Sequence, residues 1–198
     1  MTAAIAEPPA PAAYDRVARW VHWLVAALAV IVVGLGWALV QAPRNSEPRN
    51  LLLLLHRSVG LTILGTMLFR ALWRAAHPPP PLPPSVGALE TALARSAHAI
   101  LYLLFIAMPL TGYFNSAAAG HGVSFFGIVA IPPLIAENDR LSQIAIAAHL
   151  VGQYLVYLFV ALHVTAALLH GMVRRDGVLD LMLPTRRGRA LRRGRRPG

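Results

Sequence analysis

The stretch "HLVGQYLVYLFVALHVTAALLH", residues 149–170, decides the fold, because it combines membrane-spanning length with three histidines, His149, His163 and His170. About 20 predominantly apolar residues cross a bilayer as one helix. At about 1.5 Å per residue, His149 and His163 lie about 21 Å apart along such a helix, and their spacing returns them to nearly the same face. Polar groups inside a membrane are costly and usually functional, so these imidazoles are expected to hold something.

The composition extends this reading to the whole chain. The 198 residues are 57% hydrophobic and only 13% charged, whereas soluble domains carry about 25% charged residues. Apolar segments of spanning length recur four times, at residues 20–40, 51–73, 97–116 and 144–172. Short connections between spans favour an all-α, up-down four-helix bundle in the membrane. This single domain is expected to cover residues 14–184, between a disordered leader at 1–13 and a basic tail at 185–198.

The absence of cysteine excludes disulfides, iron–sulfur clusters and thiolate metal sites. The opening "MTAAIAEPPAPAAYDR" lacks a basic region followed by an apolar core, so no cleavable signal peptide is expected. All eighteen basic residues are arginines. Most of them fall on the side that holds both chain ends, which the positive-inside rule assigns to the cytoplasm. The basic tail is therefore interpreted as an orientation signal on anionic lipid, with no nucleic-acid partner.

The histidines fall at two depths, because successive spans run in opposite directions. His56 and His149 share the outer level. The inner level holds four histidines: His22 and His163, with His98 and His170 nearby. Each level offers two imidazoles from different helices, which is what a low-spin haem needs as axial ligands, and helix bundles commonly hold cofactors between facing side chains.

Other interpretations of the same histidines stay open at this point. A lone intramembrane histidine can hydrogen-bond another helix. Zinc accepts imidazole, but two histidines per level leave a tetrahedral site short of ligands. A proton relay would place Asp or Glu inside the spans, and none occurs there. Four histidines matched to two depths favour haem over these alternatives.

Small and basic residues near these depths fit a haem but have ordinary roles as well. The glycines that make room for a flat ring are Gly60, Gly65, Gly112 and Gly152, although glycine also serves close helix packing in membranes. Haem propionates need cationic neighbours. The arginines at suitable depths are Arg57, Arg19, Arg70 and Arg74, which can equally be orientation charges that reach the head groups.

Four pieces of the sequence carry a family resemblance: "YDRVARWVHW", "LLHRSVGLTILGTMLFRALWRAAHPPPPLP", "HAILYLLFIAMPLTGY" and "ALHVTAALLHGMVRRDGVLDLMLP". In this order they resemble the bacterial cytochrome b561 family, the small four-helix di-haem type of the inner (plasma) membrane. The resemblance implies two b-type haems and electron exchange with membrane quinone, with ubiquinone as the expected substrate or bound ligand. The implied axial ligands are His22, His56, His149 and His163.

The resemblance also marks His170, which matches a histidine near the inner haem, where a propionate or quinone would contact it. Relatives often carry a second histidine directly after it, where this chain has Gly171. They also often carry a glutamate after the first histidine of the fourth span, where this chain has Leu150. Both departures put proton handling at those positions in doubt, and neither touches the four implied ligands.

Three functions fit these observations. The favoured one is a stand-alone quinone-linked oxidoreductase that takes electrons from an outer donor, since the family includes members credited with superoxide oxidation. The second is a cytochrome b anchor subunit that relays electrons between quinone and a dehydrogenase or hydrogenase partner, although the short loops offer little docking surface. The third is a haem sensor or haem handler. The sequence identifies no catalytic residue, and it leaves His98 as an alternative inner ligand.

Overall fold

A computed structural model describes residues 13–183, and four long helices build the fold. Their bounds are α1 Arg16–Gln41, α2 Glu47–Ala76, α3 Ala88–Ala118 and α4 Asp139–Leu168. All four are long and apolar enough to cross a membrane. The predicted all-α four-helix architecture is therefore confirmed. The predicted tail, and all but the last residue of the predicted leader, lie outside the described residues.

Polar residues cap α1, α2 and α4, which begin before the predicted spans. The Asp15 carboxylate accepts a hydrogen bond from the Ala18 amide at 2.9 Å, and the Asn138 side chain accepts one from the Leu141 amide at 2.9 Å. Ser46 caps α2 in the same way. Such caps satisfy backbone N–H groups that the first helical turn leaves without partners. Helix ends are thus set by capping chemistry, and the apolar segments mark only the central part of each helix.

Helix packing in the bundle is unequal. Helix α1 packs against α2, α2 against α3, and α3 against α4, whereas α4 makes few close backbone contacts with α1 and α2. The buried apolar cluster of Val25, Val59, Ile63 and Met67 joins α1 to α2. A gap therefore remains between α4 and the α1–α2 pair, and contacts across this gap are made by side chains.

The two ends of the bundle differ, and we call them the hairpin end and the terminal end. At the hairpin end, the α3–α4 connection forms two short antiparallel strands, β1 Val123–Phe125 and β2 Val129–Ile131. The fully buried Ser58 hydroxyl of α2 accepts a hydrogen bond from the Phe126 amide at 2.8 Å, which fixes the hairpin to the bundle. The connection between α3 and α4 thus contains a β-hairpin, which the sequence analysis did not predict.

At the terminal end, where α1 begins and α4 ends, the chain folds back after α4. A π-helical turn, Leu169–Arg174, continues α4, and residues 175–183 form what we call the terminal segment, which includes a short 3-10 turn. The terminal segment is bound to α1: the Trp23 indole donates to the Met182 carbonyl at 3.1 Å, and the Tyr14 amide donates to the Leu181 carbonyl at 3.3 Å. It therefore covers this end of the bundle.

Candidate functional site

Histidines from different helices face each other across the gap beside α4. At the hairpin end, the rings of His56 on α2 and His149 on α4 have centroids 6.1 Å apart and planes at 69°. At the terminal end, the rings of His22 on α1 and His163 on α4 have centroids 6.1 Å apart and planes at 71°. The structure therefore brings together, as pairs, the residues that the sequence placed at equal depths.

The spacing within each pair suits one metal ion between two imidazoles. An imidazole nitrogen bonds a metal at about 2 Å, so the centroids of two rings on opposite sides of one ion lie about 6 Å apart. Both pairs have this separation. Within residues 13–183, no group of three or more His, Cys, Asp or Glu side chains is placed to hold a metal ion. Two facing imidazoles fit a planar haem iron, whereas a tetrahedral zinc ion needs more ligands.

At the hairpin end, backbone carbonyls orient both rings. The Nδ1 of His56 lies 3.2 Å from the Val32 carbonyl oxygen, and the Nδ1 of His149 lies 3.0 Å from that of Met108. A carbonyl only accepts, so it favours the tautomer with the proton on Nδ1 and leaves the Nε2 lone pair for a metal. Thr111 adds a further contact to His149 Nδ1 at 3.0 Å. Metal-bound histidines commonly have such a partner on the second nitrogen.

Two glycines allow the neighbouring helices to approach these rings. A Cβ at Gly36 of α1 would lie 3.3 Å from Cε1 of His56, and a Cβ at Gly112 of α3 would lie 3.4 Å from Cε1 of His149. Gly112 was a candidate from the sequence, whereas Gly36 was not. Because Gly34 and Gly36 both lie in α1, the sequence did not show which of them meets a histidine.

The terminal-end pair has different neighbours. The ring of His98 on α3 has its centroid 5.3 Å from that of His163, so three imidazoles meet here. The Arg70 guanidinium donates from Nε to the Tyr102 hydroxyl at 2.9 Å and lies 5.6 Å from the centre of that ring. Within the described part of the chain, none of these three imidazoles has a hydrogen-bond partner of the kind that orients His56. The terminal-end histidines therefore lie at the same end as the Arg70 guanidinium and are less fixed by the backbone.

The remaining arginine candidates have distinct surroundings. Arg57 is half-buried beside His56, and its guanidinium has no hydrogen bond within residues 13–183. Arg19 donates to the Leu183 carbonyl at 3.0 Å, so it holds the terminal segment to α1. Arg74 lies over the Tyr102 ring at 5.9 Å from its centre. Arg57 is thus the candidate whose charge has no described protein partner.

The candidate glycines of the sequence separate into two groups. A Cβ at Gly60 or Gly65 of α2 would have no atom within 4 Å. Gly60 lies one helical turn beyond His56 and on the same face, so there is room beside that histidine. A Cβ at Gly152 would lie 2.5 Å from the Met108 sulfur, so this glycine serves close packing of α4 on α3.

His170 has a partner that the sequence analysis did not identify. Its Nδ1 lies 2.5 Å from the Oδ2 of Asp176 in the terminal segment. Burial alone raises the pKa of Asp176, but hydrogen bonds from His170 and the Val178 amide outweigh it and hold that pKa below its ordinary value. Gly171, one of the two departures from the family pattern, gives room to the Leu179 side chain, which packs against it. Leu150, the other departure, is about half exposed.

Facing imidazole pairs inside a four-helix membrane bundle define a membrane cytochrome. Residues 13–185 match the family described as prokaryotic cytochrome b561. The chain belongs to this family, whose members bind haem b and transfer electrons in bacterial membranes. The predicted family membership is confirmed.

Curated relatives match over nearly their whole length. The chain is 34% identical to "Probable superoxide oxidase CybB" of Yersinia pestis, over 85% of this chain and 94% of that protein. It is 30% identical to "Cytochrome b561 homolog 2" of Escherichia coli (strain K12), over 87% of this chain and 92% of that protein. It is 25% identical to "Cytochrome b561 homolog 1" of the same organism, over 88% of this chain and 98% of that protein.

Proposed function

We propose that this protein is a di-haem b electron carrier that moves electrons from a donor at the hairpin end to membrane quinone at the terminal end. The observation that carries the proposal is one arrangement that occurs twice, two imidazoles on different helices with centroids 6.1 Å apart. His56 and His149 hold one haem b, and His22 and His163 hold the second. Haem iron with two histidine ligands supplies reversible one-electron transfer.

The chain's own residues prepare the hairpin-end ligands for this role. The carbonyls of Val32 and Met108 hold the rings of His56 and His149 in one tautomer and orientation. Hydrogen bonds of this kind also make the imidazole a better ligand. The open space at Gly60 leaves room for the edge of a planar ring beside His56.

Each end of the bundle has an arginine close to its histidines. Arg57, half-buried and without a described partner, supports a haem propionate or attracts a small anionic donor at the hairpin end. At the terminal end, Arg70 supplies the equivalent charge near His22 and His163. Arg19 is bound through one nitrogen to the Leu183 carbonyl, so its remaining donors would have to reach a propionate from that position. The excess of arginine at the terminal end orients that end toward the cytoplasm.

Superoxide is the donor that we favour, and ubiquinone the acceptor. The name of the Yersinia pestis relative supports superoxide, and arginines near the hairpin end would attract this anion. The reaction balances as two superoxide ions, one quinone and two protons giving two molecules of oxygen and one quinol. The chain would keep the two half-reactions apart, with superoxide oxidised at the hairpin end and quinone protonated at the terminal end.

The proposal is tested with purified protein in lipid vesicles that contain ubiquinone. Haem is quantified per chain, superoxide is generated enzymatically outside the vesicles, and quinone reduction is followed optically. We expect two haems per chain and one quinone reduced for every two superoxide ions consumed. His56→Ala serves as the control that lacks the hairpin-end site. Haem reduction by quinol without any response to superoxide would instead support the anchor-subunit function.

A further inference from the structure

The pair formed by His170 and Asp176 lies outside both sets of facing histidines. Its Nδ1–Oδ2 distance is 2.5 Å, and the two side chains are 18% and 7% exposed. An ionised carboxylate can only accept, so the proton of this bond is on the histidine Nδ1. The second ring nitrogen, Nε2, has no hydrogen-bond partner within residues 13–183. One side of the imidazole is therefore fixed, and the other is available for proton exchange.

An irregular piece of backbone brings the two residues together. They are six positions apart, and the π-helical turn Leu169–Arg174 widens the end of α4. Arg175 then adopts φ 52° and Gly177 adopts φ 86°, which reverses the chain. Left-handed backbone is uncommon for a residue other than glycine, and π-helical turns occur frequently at functional sites. The turn therefore directs the Asp176 carboxylate back toward His170.

Other contacts hold Asp176 in this position. Its second oxygen, Oδ1, accepts a hydrogen bond from the Val178 amide at 3.2 Å. The two cations that precede it along the chain have other partners. Arg174 donates two hydrogen bonds of 2.7 Å to the carboxylate of Glu90 on α3, and Arg175 donates from Nε to the Met172 carbonyl at 3.2 Å. The Leu181 side chain is buried, and its carbonyl accepts from the Tyr14 amide. Asp176 is thus left to His170, on a segment that is attached to α1.

We propose that Asp176 is the positioning residue for His170, orienting its imidazole so that Nε2 exchanges protons with the reduced quinone. This inference rests on the proposed quinone reaction and names the pair that would supply its protons. A buried carboxylate that holds an imidazole in one tautomer and orientation is a recurrent arrangement in acid–base catalysis. The sequence alone had placed only His170 near the quinone.

The proton balance assigns each group one task. Reduction of quinone to quinol takes two electrons, which enter one at a time, and two protons. Before each transfer, Nε2 of His170, which starts with only a lone pair, takes a proton from cytoplasmic water. After each electron, this N–H bond breaks and an O–H bond forms on a quinone oxygen, so that two such cycles deliver the two protons. The proton on Nδ1 stays in the hydrogen bond with Asp176 throughout, so this carboxylate is never the proton donor.

The first test compares turnover in variants that keep both haems. His170→Ala is expected to slow quinone reduction about 100-fold or more, because a general acid is lost. Asp176→Asn is expected to slow it about 10- to 100-fold, as for other groups that orient a functional histidine. The double variant should be no slower than His170→Ala, and Asp176→Glu should recover most of the activity, which a merely structural role would not predict.

The second test needs no turnover. Nitrogen NMR of protein labelled at histidine should show His170 with its proton on Nδ1 in the wild type, and a mixture of tautomers in Asp176→Asn. The matched control is Asp180→Asn, which removes an exposed carboxylate from the terminal segment without touching this hydrogen bond. We expect the control to leave both the tautomer and the turnover as in the wild type.

Different results overturn the inference and the function on which it rests. If Asp176→Asn reduces quinone at the wild-type rate, or if the two substitutions slow it additively, Asp176 does not act through His170. An unchanged His170 tautomer in Asp176→Asn leads to the same conclusion. If the wild-type protein itself, loaded with haem, reduces no quinone, the proposed function fails and this role for the pair fails with it.

Discussion

The hairpin-end and terminal-end histidines share one spacing but differ in what surrounds them. The rings of His56 and His149 are held by carbonyls of neighbouring helices, with glycines close against them. The rings of His22 and His163 have no such bonds within residues 13–183, and they share their end with His98 and Arg70. The two ends therefore differ mainly in how firmly the backbone orients their histidines, and in the third imidazole that only the terminal end contains.

The largest expected effect is loss of one haem at one end. On the proposed assignment, His56→Ala should remove the hairpin-end haem and His22→Ala the terminal-end haem, because each variant would lack one of the two proposed axial imidazoles. The measurement is haem per chain by pyridine haemochromogen, combined with low-temperature spectra that resolve the two centres. We expect a fall from two haems to about one in each variant.

The same two variants also test whether His22 is the residue that pairs with His163 at the terminal end. If His22→Ala retained two low-spin haems, His98 would have replaced the lost ligand, since its ring already lies 5.3 Å from that of His163. The variant carrying both His22→Ala and His98→Ala would then lose the haem. A wild-type protein with one haem per chain would contradict the di-haem proposal itself.

A second, smaller effect is expected at the close approach of α1 to His56. Gly36→Val should shift the ring of His56, because even a Cβ at this position would lie 3.3 Å from Cε1. Overpacking of this kind typically costs about 1–3 kcal/mol. The expected result is weaker retention of the hairpin-end haem on heating, with the terminal-end haem unchanged. Gly34→Val is the matched control, because a Cβ there has no atom within 4 Å.

A third effect should appear only at the terminal end. Arg70→Gln removes a positive charge beside His22 and His163, and a nearby cation favours the reduced, less positive iron. At about 10 Å and an effective dielectric constant of about 20, one unit charge is worth about 1.7 kcal/mol. Potentiometric titration of Arg70→Gln should therefore show the reduction potential of the terminal-end haem lowered by tens of millivolts. In Arg70→Lys this potential should stay close to the wild-type value. A shift confined to the hairpin-end haem would contradict this assignment.

The comparison also shows where sequence reasoning succeeded and where it lacked information. Hydropathy located the four helices, and alternating direction placed His56 beside His149 and His22 beside His163, because depth follows from residue count alone. Rotation about the helix axis does not follow from it, so Gly36 could not be distinguished from Gly34. Neighbouring helices determine that rotation through packing, which a single sequence does not display.

The pairing of His170 with Asp176 was not predicted for a different reason. Regular 3.6-residue periodicity places residues three and four apart together, whereas these two are six apart. Their contact requires a π-helical turn and two left-handed residues, Arg175 and Gly177. The hairpin was not predicted either, because its two strands have only three residues each and are flanked by Gly and Pro.

The smallest expected effect is a pH-dependent contribution of Asp176 to stability, which should distinguish the two ends without any redox measurement. The pKa of Asp176 in the folded protein is held below its ordinary value of 3.8. A carboxylate with a lowered folded-state pKa stabilises the fold above its unfolded-state pKa and loses that contribution as the pH falls through the folded-state value. Asp176→Asn should therefore unfold at a lower temperature than the wild type at pH 6, and the difference should shrink below about pH 4.

The measurement is thermal unfolding in detergent at each pH, with helix content as the signal. Asp180→Asn controls for loss of another carboxylate in the same segment, because Asp180 is exposed. A wild-type advantage over Asp176→Asn that persisted undiminished below pH 3 would mean that the carboxylate's ionised form does not hold the terminal segment.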